Sequence, residues 1–249
     1  MFGRNPGENP QKIGFLLLPE FSLIAFTAAI EPLRAANRIS RQQLYDWETL
    51  SLDGAPVAAS NGVTITPRCA VKDAPNFNTL FVCSGVRPRQ QLTKELRDIL
   101  RNIARRGTPL GAVCTGSVAL ADAGLLSAYR STIHWENMES FKEEYPKLDI
   151  TATLFEIDRD RFTCSGGTAP LDMMIHCVKL DHGDVLARNV AEQLLHNTVR
   201  TPETGQRMDI EDRTGITHPK LLAAIGIMEA FIENPLQLER IAGKVGLSL

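Results

Sequence analysis

Apolar residues follow two alternating rhythms along this chain. Unbroken apolar runs stand at residues 13–18, 80–83 and 110–113, and stretches where apolar residues return every three or four positions lie between and beyond them. A short unbroken run predicts a strand buried on both faces of a sheet, and the three-to-four spacing predicts an amphipathic helix. Helices are expected over 23–38, 90–106, 117–126, 136–144, 168–180 and 184–199. Ser22 is the candidate N-cap of the first, with Ile24, Ala28 and Leu33 near one stripe, and Pro32 should kink that helix or end its first part. Further strands are expected at 45–52 and 62–66, with Asp53-Gly54 turning between them, and at 131–134. Residues 150–157 and 161–164 read as a hairpin around Asp158-Arg159-Asp160. Such alternation predicts an α/β fold, a doubly wound and mostly parallel sheet sandwiched by helices.

The rhythm changes after residue 199. Residues 200–217 are polar, hold Pro202, Gly205 and Gly215, and read as a linker. Two helical patterns follow at 219–233 and 236–245, with Gly246-Leu247-Ser248 as a closing turn. Helix, turn and Leu-x-x-Ile-Ala-x-x-Val-Gly-Leu-Ser is how the first half of a helix-turn-helix reads, with no recognition helix after it. The expected organisation is a domain at 12–199, a linker at 200–217, and the truncated start of an all-α DNA-binding domain at 218–249. The polar residues 1–11 read as a loose leader.

Composition narrows the class. With 249 residues, 43% of them hydrophobic, the chain can bury a large core without staples. A net charge of −2 gives the whole chain no nucleic-acid footprint. Cysteines 69, 83, 114, 164 and 177 are odd in number and form no C-x-x-C pair, as expected of a reduced, cytoplasmic protein. No apolar run is long enough to span a membrane. His134-Trp135-Glu136 matches the H-x-E of zinc deaminases, but no P-C-x-x-C accompanies it, so no metal is expected. Gly166-Gly167-Thr168 is not G-x-G-x-x-G, which argues against a dinucleotide, and no cofactor is expected. The basic residues of 87–106 are interrupted by Glu95 and Asp98 on an amphipathic pattern, the plain reading of which is a solvated face.

The candidate chemistry sits at residues 111–120. A strand ends at Val113, Cys114 stands at the turn, and Gly116 lets strand and helix approach closely. This is a nucleophile elbow with Cys in place of Ser and Ala112 where the first Gly of the pattern would be. A thiol at a helix N-terminus is expected to favour its thiolate. The plain alternative is a buried, inert cysteine.

Several motifs together carry a resemblance: the strand at 13–18, Glu31-Pro32-Leu33-Arg34-Ala35-Ala36-Asn37, Ser84-Gly85, Val113-Cys114-Thr115-Gly116, Thr132-Ile133-His134-Trp135, and Ser165-Gly166-Gly167 with Leu171-Asp172. The first 200 residues resemble the ThiJ/PfpI superfamily of class I glutamine amidotransferase-like domains. With the tail Glu233-Asn234-Pro235-Leu236, Ile241-Ala242 and Gly246-Leu247-Ser248, the chain resembles the GlxA-like branch of AraC/XylS transcription regulators. Residues 213–235 are most similar to regulators of quaternary-amine and arginine catabolism.

The resemblance implies a sensor domain coupled to a DNA-binding domain, and the departures bear on enzymatic activity. PfpI-type peptidases carry His after the nucleophile, and here the residue is Thr115. Relatives acting on glyoxals keep a Glu early in the first helix, and the matching position here is Ala25. His134 remains, but a Cys–His pair without a third orienting group is poor equipment for acyl transfer, and Glu136, two residues away at a strand-to-helix junction, is not expected to serve as that group. Two functions are therefore weighed. The first is a non-catalytic sensor binding a small-molecule effector, a quaternary amine or amino acid, within a homodimer that reaches promoter DNA through its full-length C-terminal domain. The second is a cysteine-dependent hydrolase or amidase. For the sensor, the expected ligand site comprises Ser84, Gly85, Cys114, Thr115, His134, Trp135 and Phe21, at the carboxyl ends of the strands. Cys114 and His134 are its vestigial catalytic pair.

Overall fold

The computed structural model describes residues 10–231 and 234–247, so most of the expected leader lies outside them. The chain divides into two compact units between Gln206 and Arg207.

β1 (Gln11–Leu17) opens the first unit. Ile13, Phe15 and Leu17 enter one hydrophobic cluster, while Leu16 and Leu18 enter the other. A strand with both faces covered needs apolar residues at every position, hence the unbroken run. α1 (Leu23–Ser40) continues through Pro32 instead of ending there. It buries Ala25, Phe26, Ala29, Pro32, Leu33, Ala35 and Ala36, and Ile24 of the expected stripe is 57% exposed. Four alanines share this buried face with Phe26, Pro32 and Leu33, so it is broader than the expected stripe and shifted from it. Ser22 offers no side-chain cap, although its carbonyl accepts the Phe26 amide at 3.0 Å.

Next come β2 (Tyr45–Ser51), β3 (Val57–Ala58), β4 (Thr64–Ile65) and β5 (Cys69–Ala70). β4 does not pair with β2 across Asp53-Gly54. Both sides of β2 are taken by β1 and β5, and β4 forms a small antiparallel pair with β3. β6 (Thr79–Cys83) is followed by a 3₁₀ turn and then by α2 (Lys94–Arg105), which starts later than expected because Thr93 caps it by accepting the Leu96 amide at 3.1 Å.

The rest of the unit is β7 (Leu110–Val113), α3 (Ser117–Asp122), β8 (Arg130–Ser131), α4 (Met138–Glu144), β9 (Asp149–Ile150), β10 (Phe155–Asp158), β11 (Arg161–Cys164), α5 (Ala169–His182) and α6 (Asp184–Gln193). α3 is shorter than expected, since the chain turns at Gly124 with φ +73°. α6 also stops short of residue 199, just before Leu195 takes φ +55°.

The main sheet has the order β10-β11-β7-β6-β1-β2-β5. All its pairings are parallel except the β10–β11 hairpin. The cluster on one face gathers residues of α1, α5 and α6, and that on the other gathers α2, α3 and α4. This is the doubly wound sandwich expected from the sequence.

In the second unit, α7 (Ile210–Thr214) is followed by α8 (Pro219–Ala230) and α9 (Leu238–Lys244). Arg213 forks onto Glu229 with two bonds of 2.9 Å, and Lys220 Nζ donates to the Gly246 carbonyl at 2.6 Å. The expected end of α8 at residues 232–233 and the turn residue Ser248 lie outside the described residues. No helix among the described residues is long and apolar enough to cross a membrane.

Candidate functional site

β7 delivers Cys114 at its carboxyl end with φ +61°. A non-glycine residue held in this left-handed region costs about 1–3 kcal/mol and persists only where the surroundings enforce it. Two glycines do so by close approach. An added Cβ on Gly116 would stand 2.2 Å from the Val82 carbonyl oxygen. One on Gly166, itself at φ +106°, would stand 2.9 Å from Cys114 Cβ and 3.0 Å from Sγ. The elbow is thus wedged between the end of β6 and the loop after β11.

The neighbouring residues are tied in by hydrogen bonds. Thr115 Oγ1 donates to the Gly85 carbonyl at 2.7 Å, joining the elbow to the chain beyond β6. Ser84 is buried; its amide donates to Val113 and its carbonyl accepts from the Ser22 amide. The Ser84 hydroxyl, by contrast, has no partner among the described residues.

The thiolate expectation fails. Cys114 is 7% exposed, and burial pushes its thiol up to about 11. The Thr115 amide pulls the other way, but the Glu136 carboxylate adds to the rise. A 3₁₀ turn separates the thiol from α3, a helix of only six residues. The local dipole is therefore too small to offset loss of water.

His134 is half-buried and makes no hydrogen bond to Cys114. Its Nδ1 accepts the Glu136 amide at 3.4 Å and lies 3.8 Å from the Glu136 carboxylate. Burial lowers its pKa, against an opposing pull from Glu136. Its ring stacks on Trp135 with centroids 5.9 Å apart, and Trp135 is 41% exposed. Phe21 is fully buried and meets Phe26 edge-on, in the same hydrophobic cluster as Cys114 and Ala25. Among the described residues, no group of three or more His, Cys, Asp or Glu side chains could hold a metal ion.

Sequence reasoning missed a buried charge cluster beside the elbow. Asp172 is fully buried on α5. Its Oδ1 meets His196 Nε2 at 2.7 Å and accepts the Arg200 amide at 2.8 Å. Its Oδ2 accepts from Arg200 Nε at 3.0 Å and Nη2 at 2.6 Å, and Nη2 also donates to Thr168 Oγ1 at 2.7 Å. The available signal was an acidic residue on the apolar face of a helix, since a buried carboxylate calls for a cationic partner.

The model of the DJ-1/PfpI family matches residues 11–180. The HTH-type transcriptional regulator GbdR of Pseudomonas aeruginosa is 45% identical over 240 residues, covering 96% of this chain. The chain spans 65% of that regulator's length. The HTH-type transcriptional regulator GlxA of Rhizobium meliloti is 37% identical over 100% of this chain and 77% of its own. An isonitrile hydratase of Pseudomonas putida is more distant, 29% identical over 66% of this chain and 69% of its own. Among solved structures, an AraC family transcriptional regulator from Pseudomonas putida superposes with a TM-score of 0.68 and 33% identity, covering 74% of this chain and 100% of its own.

Proposed function

Because this chain belongs to the DJ-1/PfpI family, in the GlxA-like branch of HTH-type regulators, we propose that its first unit is the effector-sensing half of a transcription regulator. The elbow binds a small metabolite and turns nothing over. One observation carries this: Cys114 keeps the strained shape of a nucleophile elbow while lacking the chemistry. Its thiol is buried and held protonated, His134 is engaged with Glu136 and not with sulfur, and Ala25 stands where enzyme relatives carry a carboxylate. A protonated thiol without a base is neither a nucleophile nor a proton relay.

The effector is a quaternary amine or an amino acid. The half-exposed His134–Trp135 stack suits an ammonium group, through cation–π attraction of about 0.5–2 kcal/mol. The unpartnered Ser84 hydroxyl offers a hydrogen bond to a carboxylate. Gly85, Cys114 and Thr115 form the floor, with Phe21 as buried backing.

Promoter DNA is contacted by the whole protein, not by residues 200–249 alone, which hold six basic and seven acidic side chains. DNA affinity rests largely on phosphate neutralisation by Lys and Arg, which this stretch does not supply in excess. A homodimer would set two DNA-binding units on paired half-sites.

The test is a thermal-shift screen over betaines, carnitine, arginine and other amino acids. A true effector at a hundredfold its Kd adds about 2.7 kcal/mol to stability, and a Cys114→Trp variant that fills the elbow loses this gain. Amide, glyoxal or isonitrile turnover that disappears in Cys114→Ala would overturn the sensor reading.

A further inference from the structure

Residues 196–206 end the first unit and are bound to it at several places, three of which lead toward residues of the proposed site. At the first, Arg200 holds Thr168 and Asp172, and Thr168 lies two residues beyond Gly166, the glycine packed on the Cys114 thiol. At the second, the Leu154 amide donates to the Pro202 carbonyl at 2.9 Å, while the Leu154 carbonyl accepts the Ser165 amide at 3.0 Å. Leu154 therefore connects this segment to the residue preceding Gly166. At the third, Gln206 Nε2 lies 3.0 Å from Thr132 Oγ1, 3.0 Å from the Ile133 carbonyl and 2.9 Å from the Thr153 carbonyl. Ile133 directly precedes His134. The Gln206 Oε1 is buried and has no partner among the described residues, so this amide is held by its donor side alone.

We propose that residues 196–206 form a strap that registers occupancy of the elbow and passes it to the second unit, which begins at the next residue, Arg207. The reason is steric. Gly166 has no room against the thiol, so a group entering beside Cys114 on that side must move the 165–168 loop, and one that also reaches the proposed His134 contact meets the end of the 132–134 segment. Both are fastened to the strap. Arg200 is fixed to a buried carboxylate by several charge-assisted bonds and acts as the pivot. Gln206, with one orphan oxygen and neutral bonds only, is the end that yields. The inference rests on reading the elbow as the effector site, but the coupling itself can be measured without any effector, because coupling between two sites is reciprocal.

The experiment uses the 249-residue chain in a Cys69→Ser background and follows iodoacetamide labelling of Cys114 by peptide mass spectrometry at pH 9. Gln206→Ala removes the strap's bonds to Thr132, Ile133 and Thr153, while Thr132 keeps those to Thr163 and Ser117, and is expected to raise the labelling rate at least threefold, with circular dichroism unchanged. Glu203→Ala, an exposed change on the same strap, is expected to leave the rate as it was. Equal rates in Gln206→Ala and the parent would overturn the strap. So would an equal rise in Glu203→Ala, since general loosening would then explain both. As a second readout independent of substitution, carbamidomethylation of Cys114 is expected to speed hydrogen exchange at the amide of Leu154, which is bonded to Pro202 between the pivot and the yielding end. Unchanged exchange there would also overturn the strap. A screen that finds no zwitterionic effector would remove the ligand class and leave these measurements intact.

Discussion

At Cys114 the backbone strain and the side-chain chemistry can be separated by two substitutions. Inside regular structure, glycine is about 0.5–1 kcal/mol less stable than alanine. At φ +61° the order should reverse, because glycine is relieved of a left-handed penalty of about 1–2 kcal/mol. Cys114→Gly is thus expected to unfold in urea at a midpoint no lower than that of Cys114→Ala. A clearly lower midpoint would show that this φ carries no strain. The thiol gives a second expectation. Its folded-state pKa is raised from the ordinary 9 to about 11, so the folded protein holds this proton more tightly than the unfolded chain does. The stability linked to that proton is full below pH 9 and is lost as the pH climbs toward 11. Labelling of Cys114 should accordingly be slow at pH 7.5 and accelerate through the same window. A rate already at its plateau by pH 8 would mean that the thiolate forms after all.

At the level of elements, the strap stands on one buried carboxylate. Removing a partner from a buried ion pair costs about 3–5 kcal/mol, because a charge is left uncompensated. Arg200→Met should lower stability toward the lower end of that range, since His196 still reaches Asp172. The double change with Asp172→Asn should recover part of the loss, and a denaturant melt of the set decides. This region also marks the limit of what the sequence discloses. β1, β6 and β7 are legible because strands covered on both faces must be apolar throughout. The elbow is legible because a strand, a cysteine and a glycine before a helix leave few alternatives. The pairing of β4 with β3 was not legible, because two-residue strands have no period to read. Nor was the role of Arg200, whose partner lies 28 residues away and on another element. Local polarity alone made that stretch look like a linker. The thiolate expectation failed for a related reason, since burial depends on how loops pack over the elbow and leaves no local trace.

On the scale of the whole molecule, three histidines set an acid limit. His134, His176 and His182 all have pKa values lowered from the ordinary 6.5, in each mainly by burial. Lys179 adds to the depression at His176, while Glu136, Glu203 and Asp181 oppose it at His134, His176 and His182 respectively. As the pH falls, the unfolded chain takes up these protons first. The linked stability is therefore full above 6.5 and declines as the pH drops below it. Urea midpoints at pH 7.5 and 5.5 should differ in that direction, and equal midpoints would contradict the assignment.

The strap has one more consequence, for self-association. An open sheet exposes unpaired main-chain groups at its two rims, and such rims recruit other chains. One rim here is β5, only two residues long and therefore a poor template. The other lies by the β10 hairpin, where Pro202 takes up the Leu154 amide and Gly205 bridges Thr153. A fragment cut at residue 199 would bare the main-chain groups of Thr153 and Leu154 that lead into that rim, and would also leave Asp172 without Arg200. It should scatter light and form oligomers on concentration, where a fragment ending at residue 206 stays monodisperse in that respect.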